Sequence, residues 1–104
     1  MTDPLPERAV AIIGLAGRFP GAPTVGTFWR NLLDGVESIT TFAPAELEDS
    51  FDAATRALPN FVSMKPVLDG VDLFDAPFFG MLPREAALTD PQQRLLLECA
   101  WEAL

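Results

Sequence analysis

Cys99 is the only thiol in the chain, and the chain contains no His. A cysteine nucleophile needs a neighbouring base or a helix N-terminus to become a thiolate. Cys99 has Leu95 and Ala103 one helical turn to either side, and its near polar neighbour, Glu98, opposes a thiolate. It therefore reads as a small buried hydrophobe rather than a nucleophile. The missing His also removes Ser-His-Asp and Cys-His sites, and any His-containing zinc site, from what this chain can build alone. A lone Cys allows no internal disulfide and no four-cysteine metal centre, which is compatible with a reducing compartment.

Gly14-Leu15-Ala16-Gly17 follows an apolar run, as a phosphate-cradling turn would. A dinucleotide fingerprint, however, spaces its glycines as G-x-G-x-x-G and runs straight into a helix. Here the spacing is G-x-x-G, Phe19-Pro20 interrupts the receiving helix, and no Walker lysine follows. A close backbone turn at a strand end is the better reading. Asp69, Asp72 and Asp75 recur every third residue, but a calcium loop wants acidic groups at alternate positions, a central Gly and a terminal Glu. Turn formation and helix capping account for these three carboxylates. No catalytic, cofactor-binding or metal-binding residue is assigned on chemistry alone.

The elements that would have to position any site come next. The length, 104 residues, suits one small domain or a piece of a larger one. At 49% hydrophobic and 21% charged the chain has the means to build a core. Seven basic against fifteen acidic side chains leave a net charge of −8, the wrong sign for a duplex-binding stripe, so no nucleic-acid partner is expected. The longest apolar run, Ala9 to Ala16, has eight residues, against roughly 20 for a membrane span. Met1 to Pro4 is acidic and Pro-bearing rather than a basic leader. The expectation is a cytoplasmic protein with no membrane partner.

Residues 1–7 read as an N-terminal lead. Arg8 to Gly17, nearly continuous in apolar residues and closed by glycines, reads as a strand buried on both faces. Residues 17–23 form a Gly- and Pro-rich loop. Thr24 is a helix N-cap, after which Phe28, Leu32 and Leu33 share a face beside Trp29, and Asp34-Gly35 ends the helix with Gly at the left-handed position. Ala45 to Ala57 is acidic and weakly helical, its Glu46, Glu48, Asp49 and Asp52 a solvated face. Phe61 to Leu68 reads as extended, limited by Pro66 to an edge or bulged strand. Val71 to Phe79 reads as a short helical turn rich in Phe. Asp90-Pro91-Gln92-Gln93 predicts a helix start: Asp90 as N-cap accepting from the Gln93 N–H, Pro91 at the first position, and the Gln93 side chain closing a capping box. Residues 94–104 are apolar almost all round, interrupted only by Arg94, Glu98 and Glu102. Such a helix belongs inside a larger protein. No Gly, Pro or basic last turn terminates it, so the chain is expected to end inside an element.

Taken in order, these strings resemble the β-ketoacyl synthase domains of modular type I polyketide synthases. Ala11-Ile12-Ile13-Gly14-Leu15-Ala16-Gly17-Arg18-Phe19-Pro20-Gly21-Ala22 is similar to the opening strand and loop, and residues 28–39, from Phe28-Trp29 to Ser38-Ile39, to the first helix and its exit. Val71-Asp72-Leu73-Phe74-Asp75-Ala76-Pro77-Phe78-Phe79-Gly80, Pro83-Arg84-Glu85-Ala86, Asp90-Pro91-Gln92-Gln93-Arg94 and residues 97–104 continue the likeness. It extends over residues 8–104, with small departures at Met81-Leu82 and Thr89.

The resemblance implies an α/β fold: the incomplete N-terminal part of a thiolase-like, α-β-α-β-α layered domain. It implies that residues 1–7 precede the domain and that residues 8–104 are its N-terminal portion, truncated before the catalytic residues. In the family, a Cys in a Thr-Ala-Cys-Ser-Ser type motif takes an acyl group from the phosphopantetheine arm of an acyl carrier protein. Two His then assist decarboxylation of a malonyl-type unit, whose carbanion attacks the acyl thioester. None of those positions exists in this sequence, and Cys99 inherits no catalytic role. The implied partners are the rest of a polyketide synthase and its acyl carrier protein, with a homodimer for the intact domain. No cofactor is expected to be bound by this chain, and the chain alone is expected to be inactive. The alternative is a non-catalytic interaction module derived from that domain, using the apolar last helix and the Phe-rich segment.

Overall fold

Thr24 starts the first helix as its side chain suggests. In a computed structural model, which describes Pro4 and residues 8–104, helix α1 spans Val25–Leu33 and the Thr24 hydroxyl accepts from the Thr27 N–H at 3.2 Å. The lead expected at residues 1–7 lies, Pro4 apart, outside the described residues. The end of α1 is a Schellman closure: the Val36 N–H donates to the Asn31 carbonyl at 2.9 Å and the Gly35 N–H to the Leu32 carbonyl at 3.3 Å, with Gly35 at φ 66°. The helix is anchored to the preceding loop through Phe28, whose ring stacks on Phe19 at 4.0 Å between centroids and 14° between planes. Within that loop Phe19 and Ala22 exchange both backbone hydrogen bonds at 2.9 Å across Pro20-Gly21, and Gly21 takes φ 67°, the left-handed geometry a side chain would resist. Ala22 is buried beneath it.

The expected buried strand at residues 8–17 is not realised. Residues 9–18 run without hydrogen-bonded strand pairing, and Val10, Ile12, Ile13 and Leu15 are 71% to 97% exposed. A strand exists only where a neighbour supplies N–H and C=O partners. Among the described residues no segment does so for this run. The apolar pattern that signals a two-sided burial is thus present, but its counterfaces are not.

The middle of the chain folds on itself. Strand β1 (Thr40–Thr41) pairs antiparallel with β2 (Met64–Lys65) in the register Thr40↔Lys65 and Thr41↔Met64. The pairing stops where Pro66 begins, as expected for a residue with no N–H to donate. Between the strands lie a 3₁₀ turn at Pro44–Leu47 and the one-turn helix α2, Ala53–Arg56. Among the described residues Leu47 is the one large side chain fully buried, 2% exposed. Arg56 ties the two turns together by donating to the Pro44 and Phe51 carbonyls. Glu46, Glu48, Asp49 and Asp52 all face solvent, as their composition suggests.

Residues 71–80 form a chain of turns, and the expected helical turn is confined to its second half, where the Phe79 N–H donates to the Asp75 carbonyl at 3.4 Å. Asp75 caps that turn, its side chain accepting from the Phe78 N–H at 3.1 Å, with Pro77 in the first turn where its missing N–H is not needed. The turns do pack their aromatics: Phe74 stacks on Phe79 at 5.1 Å, and Phe78 meets Phe79 edge-on at 5.0 Å. Helix α3, Pro83–Leu88, follows, and α4 runs over Pro91–Ala103. The α4 start differs in detail from expectation. Asp90 accepts from the Gln92 N–H at 2.8 Å, not from Gln93, whose N–H goes to the Asp90 carbonyl at 3.0 Å. With the carboxylate turned to the second residue, the reciprocal bond of a capping box is not made.

These pieces share no common core. The buried apolar side chains among the described residues are Ala22, Leu47, Ala76 and Ala86. The radius of gyration is 19.5 Å and the extents are 61 × 41 × 23 Å, whereas a compact domain of about 100 residues has a radius near ~13 Å. The elements are laid out over a surface rather than gathered around an interior.

Candidate functional site

The most connected side chains lie where the N-terminal segment crosses α4. Residues 97–104 place Glu98 and Glu102 one helical turn apart, so their carboxylates project from the same face. Arg18, at the end of the apolar run, reaches both. Its Nη1 donates to Glu102 Oε2 at 2.8 Å, its Nη2 bonds the other Glu102 oxygen, and the same Nη2 lies 3.9 Å from Glu98 Oε2. This is a bidentate fork on one carboxylate with a second carboxylate alongside. The Arg18 and Glu98 side chains are about a quarter exposed and Glu102 about half. Hydrogen bonding from Arg18 holds the Glu102 carboxyl below the usual glutamate range, and hydrogen bonding to Glu102 raises Arg18 further above its ordinary value.

The backbone makes room for this crossing. A Cβ at Gly14 would overlap the Ala103 carbonyl oxygen, so the helix end and the segment touch at a position only glycine can occupy. Beside the crossing is an open pocket of about 320 Å³ bounded by Arg18, Phe19, Leu68, Asp69, Leu95 and Glu98. Its charges are two carboxylates against one guanidinium already committed to Glu102. That donor set does not suit a phosphate, so it offers no seat for a phosphopantetheine group.

Each residue weighed from sequence can now be placed. Cys99 is half-buried on α4 as a free thiol, on the turn between Glu98 and Glu102. Its neighbours on the helix are the Glu98 and Glu102 carboxylates, which the Arg18 guanidinium joins. Gly14 serves the close contact with Ala103 rather than a phosphate, and Gly17 lies against the Phe19 ring. Of the three aspartates, Asp75 caps the Phe78 turn and Asp69 borders the pocket. Among the described residues no group of acidic, Cys and His side chains is gathered as a metal site. Nor is any helix among them long and apolar enough to cross a membrane.

Two connections were not anticipated from sequence. One is the Arg18 crossing, signalled only by Glu98 and Glu102 as the two acids in an otherwise largely apolar helix. The other is Arg94, which braces three segments: its Nη2 donates to the Val71 carbonyl at 3.1 Å and its Nη1 to the Ala86 carbonyl at 3.3 Å. Also on α4, Trp101 stands edge-on to Phe78 at 4.9 Å.

This arrangement has counterparts among known proteins. Against a component of the phenolphthiocerol/phthiocerol polyketide synthase of Mycobacterium tuberculosis the chain is 52% identical over 101 residues, covering 96% of this chain and 7% of that protein. The crystal structure of ketosynthase twelve from the bacillaene polyketide synthase of Bacillus amyloliquefaciens superposes with a TM-score of 0.74 at 38% identity, over 89% of this chain and 17% of that one. An oxazolomycin ketosynthase domain from Streptomyces albus gives a TM-score of 0.71 at 34% identity, again over 89% of this chain and 17% of the other. The fold is accordingly a partial thiolase-like α/β arrangement, and the chain spans a small share of the length of each relative. Residues 7–104 match the family described as Beta-ketoacyl synthase, N-terminal domain, and to that family the chain belongs.

Proposed function

We propose that this chain is the N-terminal scaffold of a β-ketoacyl synthase domain in polyketide assembly and carries none of the domain's acyl-transfer chemistry itself. The observation that supports this most is the exposure of Val10, Ile12, Ile13 and Leu15. An extended segment apolar on both sides is the inner strand of a covered sheet, and further strands and helices are required to cover it. In the whole domain those layers hold the nucleophilic Cys and the two His that join an acyl thioester to a decarboxylated malonyl-type unit. The partners of the whole domain are the remainder of a polyketide synthase, an acyl carrier protein bearing phosphopantetheine, and a second copy of the domain, all in the cytoplasm. Residues 1–7 precede the domain.

The test is incubation of the 104-residue chain with an acyl-pantetheine thioester, read by intact-protein mass spectrometry. No covalent acyl adduct is expected, because the chain has no His to deprotonate Cys99 and the neighbouring carboxylates oppose a thiolate. An adduct on Cys99 at catalytic rates would overturn the reading. A parallel outcome weighs the reading of an independent interaction module: a compact monomer or defined dimer on a sizing column favours the module, and aggregates or a molten species favour the scaffold.

A further inference from the structure

The Arg18 crossing joins residues 84 positions apart, and it does so with side chains that remain partly open to solvent. Between residues 9 and 23 Arg18 is the only charged side chain. Facing it from α4 are Glu98 and Glu102 with the Cys99 thiol between them, and across the pocket stands Asp69. All of the electrostatic hold on this stretch therefore passes through one guanidinium. Directly beside it, Gly14 admits the Ala103 carbonyl at a separation no other residue allows. A charged fork and a steric slot, four residues apart, fix the segment both along and across the helix. Both contacts are made while Val10, Ile12, Ile13 and Leu15 still have no strand partner.

We propose that Arg18 is a latch: it sets the register of the apolar segment 10–15 against the end of α4 independently of any sheet, and it opens when its carboxylate partners are screened or protonated. A half-exposed ion pair is a weak fastening, and the long intervening chain raises the entropy cost of keeping it closed. The latch is thus close to balance and responds to salt and acid. Protonation of Glu102 removes the negative charge that the Arg18 fork holds and leaves only a neutral acceptor. The proposal concerns the ordering of this chain and holds whether or not the catalytic reading above is right.

Paramagnetic NMR on the full chain tests it. A nitroxide is placed at position 104 through Leu104→Cys in a Cys99→Ser background; Leu104 is wholly exposed and tolerates the label. The expected result is strong broadening of amides 14–18 at neutral pH and low salt. Arg18→Gln, raised salt or acid should each open the latch about twofold to fivefold more often, the scale of a half-exposed pair, and reduce that broadening accordingly. Broadening of amides 97–101, within the same helix, should stay. The double charge reversal Arg18→Glu with Glu102→Arg should restore the contact that Arg18→Glu alone abolishes. Absence of broadening at 14–18 in the parent chain, equal broadening in Arg18→Gln, or failure of the reversal to restore it would each overturn the latch.

Discussion

The Ala103 carbonyl oxygen occupies the space that a Cβ on Gly14 would need. The two residues come from opposite ends of the described chain, so the contact reports directly on whether the N-terminal segment is seated on α4. Backbone faces backbone there, and neither side can rotate away as a side chain would. Gly14→Ala should cost about 1–3 kcal/mol of that contact, the usual scale for forcing an extra methyl into a packed position. In NMR spectra the cross-peaks between residues 14 and 103 should vanish while those within α1 persist. Survival of the contact in Gly14→Ala would mean that the segment lies elsewhere.

Helix α1 depends on Thr24 at its start, because no acidic side chain in its first turn offers a substitute. Thr24→Ala removes the acceptor for the Thr27 N–H and should destabilise the helix by about 1 kcal/mol. Amide exchange at residues 26–28 should accelerate about fivefold, the equivalent of that energy. Thr24→Ser should behave like the parent chain, since it keeps the oxygen. If Ala and Ser variants exchange alike, the cap contributes nothing.

What the residues disclosed by themselves divides along a physical line. Features set by neighbours in the chain were legible: the Thr24 cap, the Gly35 exit, the Pro91 helix start and the Pro66 limit on β2 all follow from local backbone chemistry. The family resemblance was legible too, because its strings recur in order. Contacts between distant residues were not. Nothing in the spacing of Glu98 and Glu102 names Arg18 as their partner, and nothing around Arg94 names the Val71 and Ala86 carbonyls. Helix α3 is visible only within a family string, since six residues are too few to show a helical period. The strand at residues 8–17 failed for the converse reason: its apolar pattern is local, but a strand requires partners outside itself.

Two carboxyls should titrate below the ordinary range for their residue types. Glu102 is lowered by hydrogen bonding from Arg18, and Asp52 by hydrogen bonding from Thr55, from its side chain first and its backbone N–H second. A carboxyl lowered in the folded chain binds its proton less readily there than in the unfolded chain. Its contribution to stability is therefore present above the ordinary carboxylate range and is lost as pH falls through the lowered value. Carboxyl-carbon NMR should show Glu102 titrating below the ordinary glutamate range and Asp52 below the ordinary aspartate range. Arg18→Gln should return Glu102 to the common range and leave Asp52 where it was, because Arg18 bonds only the former.

The largest effect should come from the apolar surface that the fold leaves open. Trp29, Leu32 and Leu33 on α1 are 56% to 67% exposed, although their spacing places them on or beside the face that includes Phe28. Together with the bare run at residues 10–15 they form far more exposed apolar area than single surface hydrophobes ordinarily present. Such a surface binds hydrophobic dyes and drives self-association at rising concentration. The isolated chain should therefore bind anilinonaphthalene sulfonate, elute with a larger radius than a compact protein of its length, and melt over a broad range without a sharp transition. Leu33→Lys, at a site with no buried contact to lose, should reduce self-association with little change in helicity. A sharp cooperative melt above about 55 °C, ordinary for intact mesophile domains, would contradict this and would require a core that the described side chains do not form.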